Sequence, residues 1–98
     1  MDKRLNEIAL HHGLDGQLNQ TIEECAELIL EIRKYKRCIE EDEVDTIKQY
    51  RLTRICEEVV DVDIMVQQLK VLIETFDYDK FTNHQIEREL TRMKEKEG

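Results

Sequence analysis

Two long segments of this chain place an aliphatic side chain at every third or fourth position, and the chain contains no proline to interrupt them. The first seam is formed by Leu18, Ile22, Cys25, Ile29 and Ile32. The second seam is formed by Leu52, Ile55, Val59, Val62, Val66, Leu69 and Ile73. Steps of three and four residues return to one face of an α-helix, whereas a strand needs strict alternation. The seams therefore predict long helices that pack through an apolar stripe.

Four helical segments are expected, and the first two are separated by Gly13. The first runs from about Lys3 to His12, with Asp2 as N-cap, and Gly13 ends it. The second begins at Asp15 or Gly16 and continues to about Arg37. The glycine thus predicts a helix boundary ahead of the first seam.

The remaining two segments begin at sequences that match capping boxes. In "TIKQ", Thr46 is the expected N-cap, and the third helix then continues to about Thr75. In "TNHQ", Thr82 is the expected N-cap of a fourth helix. An acidic loop of about nine residues, "CIEEDEVDT", separates helices two and three. The predicted fold is all-α, a four-helix bundle completed by oligomerisation.

The chain's totals restrict its class and its partners. Ninety-eight residues predict one domain over residues 1–98, and a chain of this size buries a thin core. The net charge of −8 argues against nucleic acid or an anionic membrane as the main partner. No stretch resembles a signal peptide or a membrane span, and three cysteines without CxxC spacing indicate free thiols. A cytoplasmic location is expected.

Paired carboxylates stand beside both seams. Glu24 and Glu27 are three residues apart on the second helix, and Glu58 and Asp61 repeat this spacing on the third. A short loop makes these helices antiparallel neighbours. We expect a register that sets Glu27 opposite Asp61, so that the four carboxylates converge.

Converging carboxylates repel one another, and a divalent cation removes the repulsion. Hard oxygen ligands favour Mg²⁺, or Mn²⁺, over zinc. Since Mg²⁺ keeps coordination positions for phosphate oxygens, the pattern indicates phosphate chemistry. The alternative is that these acidic residues are a solvated helix face, which is common in a chain with 23 acidic residues.

The motifs "EECAEL" and "EEVVDVDIM" resemble the signature of the MazG-like all-α nucleoside triphosphate pyrophosphohydrolases, EExxE followed by EExxD. The resemblance covers about Gly13 to Leu72, and its spacer is at the long end of the family range. It implies that the metal ligands are Glu24, Glu27, Glu58 and Asp61. It also implies cleavage of a nucleoside triphosphate between the α and β phosphates.

Further candidate residues flank the carboxylates. Glu23 or Glu31 could accept a proton from the attacking water, although both could equally be solvated charges. Lys34 and Arg54 are opposite each other in the expected register, suitably placed for the β and γ phosphates.

Both cations could instead pair within their own helices, Lys34 with Glu31 and Arg54 with Glu58. Gln17 and Gln20 precede the acidic motif on the side that could face a nucleobase, although exposed glutamines are ordinary on helices.

Two other functions compete with this interpretation. One is a phosphoribosyl-ATP pyrophosphohydrolase, and the other is a non-catalytic helical interaction module. Apolar residues outside the main stripe of the third helix, Met65 and Leu72, predict a homodimer or a dimer of dimers.

Overall fold

The computed structural model describes residues 2–97 and is all-α over that range. Helix α1 spans Lys3–Glu40, α2 spans Asp45–Leu72 and α3 spans Tyr78–Glu97. Helices α1 and α2 form an antiparallel hairpin, and α3 projects away from it, with none of its described residues buried. None of these helices is long and apolar enough to cross a membrane.

The first two predicted segments are joined into α1 by a kink at Gly13. This glycine has φ 75° and ψ 173°, a backbone conformation that side chains with a Cβ rarely adopt. Helical structure resumes directly after it, so the predicted boundary at Gly13 is confirmed, and α1 consists of two helical segments that meet at this kink. The N-cap prediction is confirmed, because the Asp2 side chain accepts a hydrogen bond of 2.9 Å from the Arg4 backbone N–H.

The turn between α1 and α2 is shorter than the nine residues that the sequence suggested. Helix α1 continues to Glu40 and ends in a Schellman motif, in which the Glu43 N–H donates to the Cys38 carbonyl at 3.0 Å. Asp42 takes the left-handed position, with φ 51°. Because aspartate tolerates this conformation, the chain reverses within four residues without a glycine.

Both capping-box predictions were wrong about where helices begin. Helix α2 begins at Asp45, and its N-cap is Val44, which makes no side-chain capping bond. Helix α3 begins at Tyr78, and the side chain of Asp77 accepts a 3.0 Å bond from the Lys80 N–H. Backbone hydrogen bonds in the turns before α2 and α3 fix where these helices begin, and the side chains of Thr46 and Thr82 do not.

The hairpin packs largely through polar side chains, and most residues of the aliphatic seams are exposed. The buried side chains at the α1–α2 contact are mainly Gln17, Glu31, Cys38, Glu58, Met65 and Gln68. In contrast, Ile22 and Ile29 of the first seam remain 68% and 53% exposed, and Val59 of the second remains 49% exposed. The expected apolar contact within the hairpin is therefore only partly present. The seam residues Cys25, Ile55, Val62 and Leu69 are half-buried, and the others are exposed.

Candidate metal centre

Three carboxylates from the two helices of the hairpin meet near its middle. Glu24 and Glu27 are one turn apart on α1, and Glu58 lies opposite them on α2. One carboxylate oxygen of each lies within 4.8 Å of the other two. Such separations are short enough for one cation to contact all three side chains. The hairpin therefore brings together three of the four ligands expected from the sequence.

The packing buries carboxylate oxygens without giving them partners. Among the described residues, Oε2 of Glu24, Glu31 and Glu58 is buried and makes no hydrogen bond. The Glu58 residue is only 5% exposed, and Glu31 is 6% exposed. Buried oxygens that lose water without gaining a donor are destabilising unless a cation or a proton compensates them. This pocket of negative charge is thus suited to a bound cation.

The pKa of Glu58 is raised above its usual 4.5, chiefly because burial disfavours the charged form. The neighbouring charges of Glu27, Asp61 and Glu24 raise this pKa further, and Arg54 opposes them. Asp61 therefore acts on Glu58 electrostatically, but the residue itself is exposed and lies outside the three-carboxylate group.

Two cations border the cluster at one end. Arg54 lies with one guanidinium nitrogen 3.5 Å from Glu58 and 3.9 Å from Glu31, and with another 3.2 Å from Glu57. Lys34 approaches the same Glu31 oxygen at 3.4 Å. Both intrahelical pairs considered from the sequence are present, and Arg54 also reaches across the hairpin. Glu31 is thus held between two cationic side chains.

The helix register differs from the expected one by about one turn. Arg54 is opposite Glu31 rather than Lys34, and Glu27 faces Glu58 rather than Asp61. The position of the turn at residues 41–44 sets this register, because residues equally far from its centre lie opposite each other in an antiparallel hairpin. Glu58 consequently occupies the centre of the cluster, and Asp61 lies at its edge.

The two glutamines predicted to face a base lie in different surroundings. Gln17 is buried and donates a hydrogen bond to the equally buried Gln68, a pair that closes the hairpin beyond the cluster. Gln20 is exposed and donates to Glu24 at 2.9 Å, which orients that carboxylate. Gln68 was missed from the sequence. Its only signal is its position three residues after Met65, within one helical turn.

The remaining proton-acceptor candidates also differ in burial. Glu31 is buried beside the cluster, whereas the adjacent Glu23 is exposed on α1. The structure therefore brings Glu31, but not Glu23, into the contact between the two helices.

The raised pKa of Glu58 predicts a specific dependence of stability on pH. Without divalent cations, the folded chain holds the Glu58 proton at pH values where the unfolded chain has released it. The stability contributed by this proton is present near pH 4.5 and is lost as pH rises through the folded pKa. Arg4 lowers the pKa of Asp2 to about 2, which has the opposite effect on stability. The stability that Asp2 contributes is lost only as pH falls below about 3.8.

Urea unfolding in EDTA between pH 4.5 and pH 8 measures this effect. Relative to Glu58→Gln, the wild-type chain is expected to become progressively less stable as pH rises. Parallel curves for the two proteins would show that Glu58 titrates normally.

No family model, curated protein or solved structure matches this chain.

Proposed function

We propose that this chain is a Mg²⁺-dependent nucleoside triphosphate pyrophosphohydrolase, which releases a nucleoside monophosphate and pyrophosphate. The single observation that carries the proposal is the group of Glu24, Glu27 and Glu58, whose oxygens lie within 4.8 Å of one another. Buried, unpartnered oxygens at Glu24 and Glu58 support the assignment of this group to a cation.

The chemistry of the donors favours a hard divalent ion. All three are carboxylates, and oxygen donors suit Mg²⁺ or Mn²⁺, whereas a structural zinc ion would favour Cys and His ligands. Asp61 follows Glu58 by one turn on α2 and raises the pKa of that carboxyl, so it is close enough to be proposed as a fourth ligand. Three or four carboxylates still leave room for phosphate oxygens around Mg²⁺.

When bound, the ion would neutralise phosphate charge and make a coordinated water more acidic. In the proposed reaction a water molecule would attack the α-phosphorus, the bond from this phosphorus to the bridging oxygen would break, and pyrophosphate would leave. A nearby carboxylate would accept the proton of the attacking water, and Glu31 is better placed for this than Glu23. Glu31 is buried at the helix contact and retains an unpartnered oxygen, whereas Glu23 is exposed.

Lys34 and Arg54 are proposed to bind the β and γ phosphates. Both cations already lie at Glu31, at the same end of the cluster, and Arg54 is about one-third exposed. A guanidinium can exchange carboxylate partners for phosphate oxygens with little change in its position. The arriving triphosphate would then meet positive charge next to the acidic cluster.

Replacing Arg54 tests this role. Arg54→Gln is expected to lower kcat/KM for a triphosphate by about 10- to 100-fold, because one charge-assisted phosphate contact is worth ~1.5–3 kcal/mol. Arg51→Gln, one turn earlier on α2, is the matched control, since the Arg51 guanidinium lies over the Tyr50 ring. Equal losses in the two variants would point to general charge and not to a phosphate contact.

The nucleobase is proposed to lie in a cavity of about 450 Å³. The cavity is formed where the segment before Gly13 meets α2, and its lining residues are Asp2, Arg4, Leu5, Ile8, Ile64 and Gln67. The reason for this proposal is that Ile64 is only one turn beyond Asp61 on α2. Since Gln17 is buried against Gln68, we propose Gln67 as the amide that contacts the base.

The decisive experiment is detection of pyrophosphate from a panel of standard and damaged nucleoside triphosphates, with and without Mg²⁺. Phosphoribosyl-ATP is included to distinguish the enzyme of histidine synthesis. Mg²⁺-dependent pyrophosphate release from a nucleoside triphosphate is the expected result. No release from any compound, together with no effect of Mg²⁺ on stability, would favour a non-catalytic helical module.

A further inference from the structure

Arg54 links the candidate metal centre to a further buried carboxylate of the hairpin. One guanidinium nitrogen lies 3.5 Å from Oε1 of Glu58 and 3.9 Å from Oε1 of Glu31. Both glutamates are buried, and the second oxygen of each, Oε2, makes no hydrogen bond. Because a guanidinium keeps its charge at every pH that proteins tolerate, Arg54 supplies a permanent positive charge to two carboxylates that lack a full set of partners.

Glu58 is shared between this ion pair and the candidate metal centre. It is the α2 member of the three carboxylates whose oxygens lie within 4.8 Å of one another. A divalent ion bound to these oxygens would satisfy the charge of Glu58, so the attraction of this carboxylate for Arg54 would fall. The ion and the guanidinium would also repel each other, because both are positive and both adjoin the same carboxylate. Arg54 and a divalent ion therefore compete for Glu58.

Arg54 has another partner available on the solvent side. Its other terminal nitrogen lies 3.2 Å from Glu57, an exposed residue, and the Arg54 side chain is itself 34% exposed. Lys34 lies 3.4 Å from Oε1 of Glu31, so Glu31 keeps a cationic partner if Arg54 moves away. Since the long stem of arginine lets its charged end turn toward water, Arg54 can leave the buried carboxylates without a rearrangement of either helix.

We propose that Arg54 occupies Glu58 in the metal-free chain and is displaced toward Glu57 when a divalent ion binds, which makes its guanidinium available to an incoming triphosphate. This inference rests on the metal site of the proposed function and adds a coupling between the ion and the phosphates. A triphosphate that holds Arg54 removes the competitor of the ion, and the ion in turn releases Arg54 for the triphosphate. Each ligand therefore raises the affinity of the other by the same factor.

Isothermal titration of the full chain with Mg²⁺, in the absence of nucleotide, tests the competition without turnover. Arg54→Gln is expected to lower the Kd for Mg²⁺ by about 10-fold, because the competing charge is gone. Arg54→Lys retains the charge and should stay within about threefold of the wild-type Kd. The matched control is Arg51→Gln, which removes a cation that lies over the Tyr50 ring and should change Kd by less than about twofold.

NMR of the arginine Nε–H groups in the wild-type chain covers the case in which Arg54→Gln does not fold. The Arg54 signal, identified by its absence from Arg54→Lys, is expected to shift with Mg²⁺ at the calorimetric midpoint, while the Arg51 signal stays in place. An equal or higher Kd in folded Arg54→Gln, or an Arg54 signal that ignores bound Mg²⁺, overturns the coupling and leaves the metal site standing. Absence of Mg²⁺ binding in every protein removes the site and this inference together.

Discussion

Replacement of Glu58 by glutamine is expected to lower Mg²⁺-dependent pyrophosphate release by more than about 100-fold while the helical fold persists. Glu58 is the α2 member of the three-carboxylate group, is almost fully buried, and lies opposite both carboxylates from α1. Glutamine keeps the size of the side chain but removes the charge that is proposed to hold a divalent ion. Removal of a residue that merely supports a metal ligand already costs about 10- to 100-fold, so loss of the ligand itself should cost more.

Circular dichroism and a pyrophosphate assay on the same preparations measure this outcome. The control is Glu40→Gln, which makes the same change at the end of α1, away from the cluster, and should leave turnover within about twofold. Because glutamine relieves a buried charge, the Glu58 variant should be at least as stable as the wild-type chain without metal. Activity retained in a folded Glu58→Gln variant would remove Glu58 from the site.

Addition of Mg²⁺ or Mn²⁺ to the metal-free chain is expected to raise its Tm. A ligand that binds the folded state alone stabilises it by ~2.7 kcal/mol at 100 times its Kd. For a domain of this length, that free energy corresponds to an increase in Tm of roughly 10–20 °C. The physical source is the relief of repulsion among Glu24, Glu27 and Glu58, together with the pairing of their buried oxygens.

Differential scanning calorimetry at fixed protein concentration checks the size of this shift. Fixed concentration is needed because a self-associating chain changes its Tm with concentration as well. Glu58→Gln should lose most of the shift, whereas Glu40→Gln should keep it. NaCl at equal ionic strength gives the screening effect alone, and a shift as large as that from Mg²⁺ would contradict a specific ion site.

Much of the secondary structure could be predicted from local sequence. The seams and the absence of proline require long helices, and Gly13 marks a kink because it adopts a positive φ. The turn after α1 could not be predicted in the same way. Its left-handed position is held by Asp42, which gives a weaker signal than glycine, and hydrogen bonds to the end of α1 complete it.

The candidate site was predictable in its residue types but not in its register. The spacing of Glu24 and Glu27 places both on one helical face, and Glu58 was expected to approach them from the next helix. Which α2 carboxylate is central depends on where the turn between the helices is centred. Asp61 was expected to face Glu27, and a shift of one helical turn places Glu58 there instead.

The sequence by itself determined that the chain is helical and that its acidic pairs border aliphatic stripes, because both are local properties of residue spacing. Only the tertiary structure decided which stripe faces the partner helix. The hairpin buries Gln17, Glu31 and Gln68 and leaves most residues of the aliphatic seams exposed. Periodicity specifies which residues share a helical face, but the rotation of one helix against another is set by the turn and by the contacts that both helices make together.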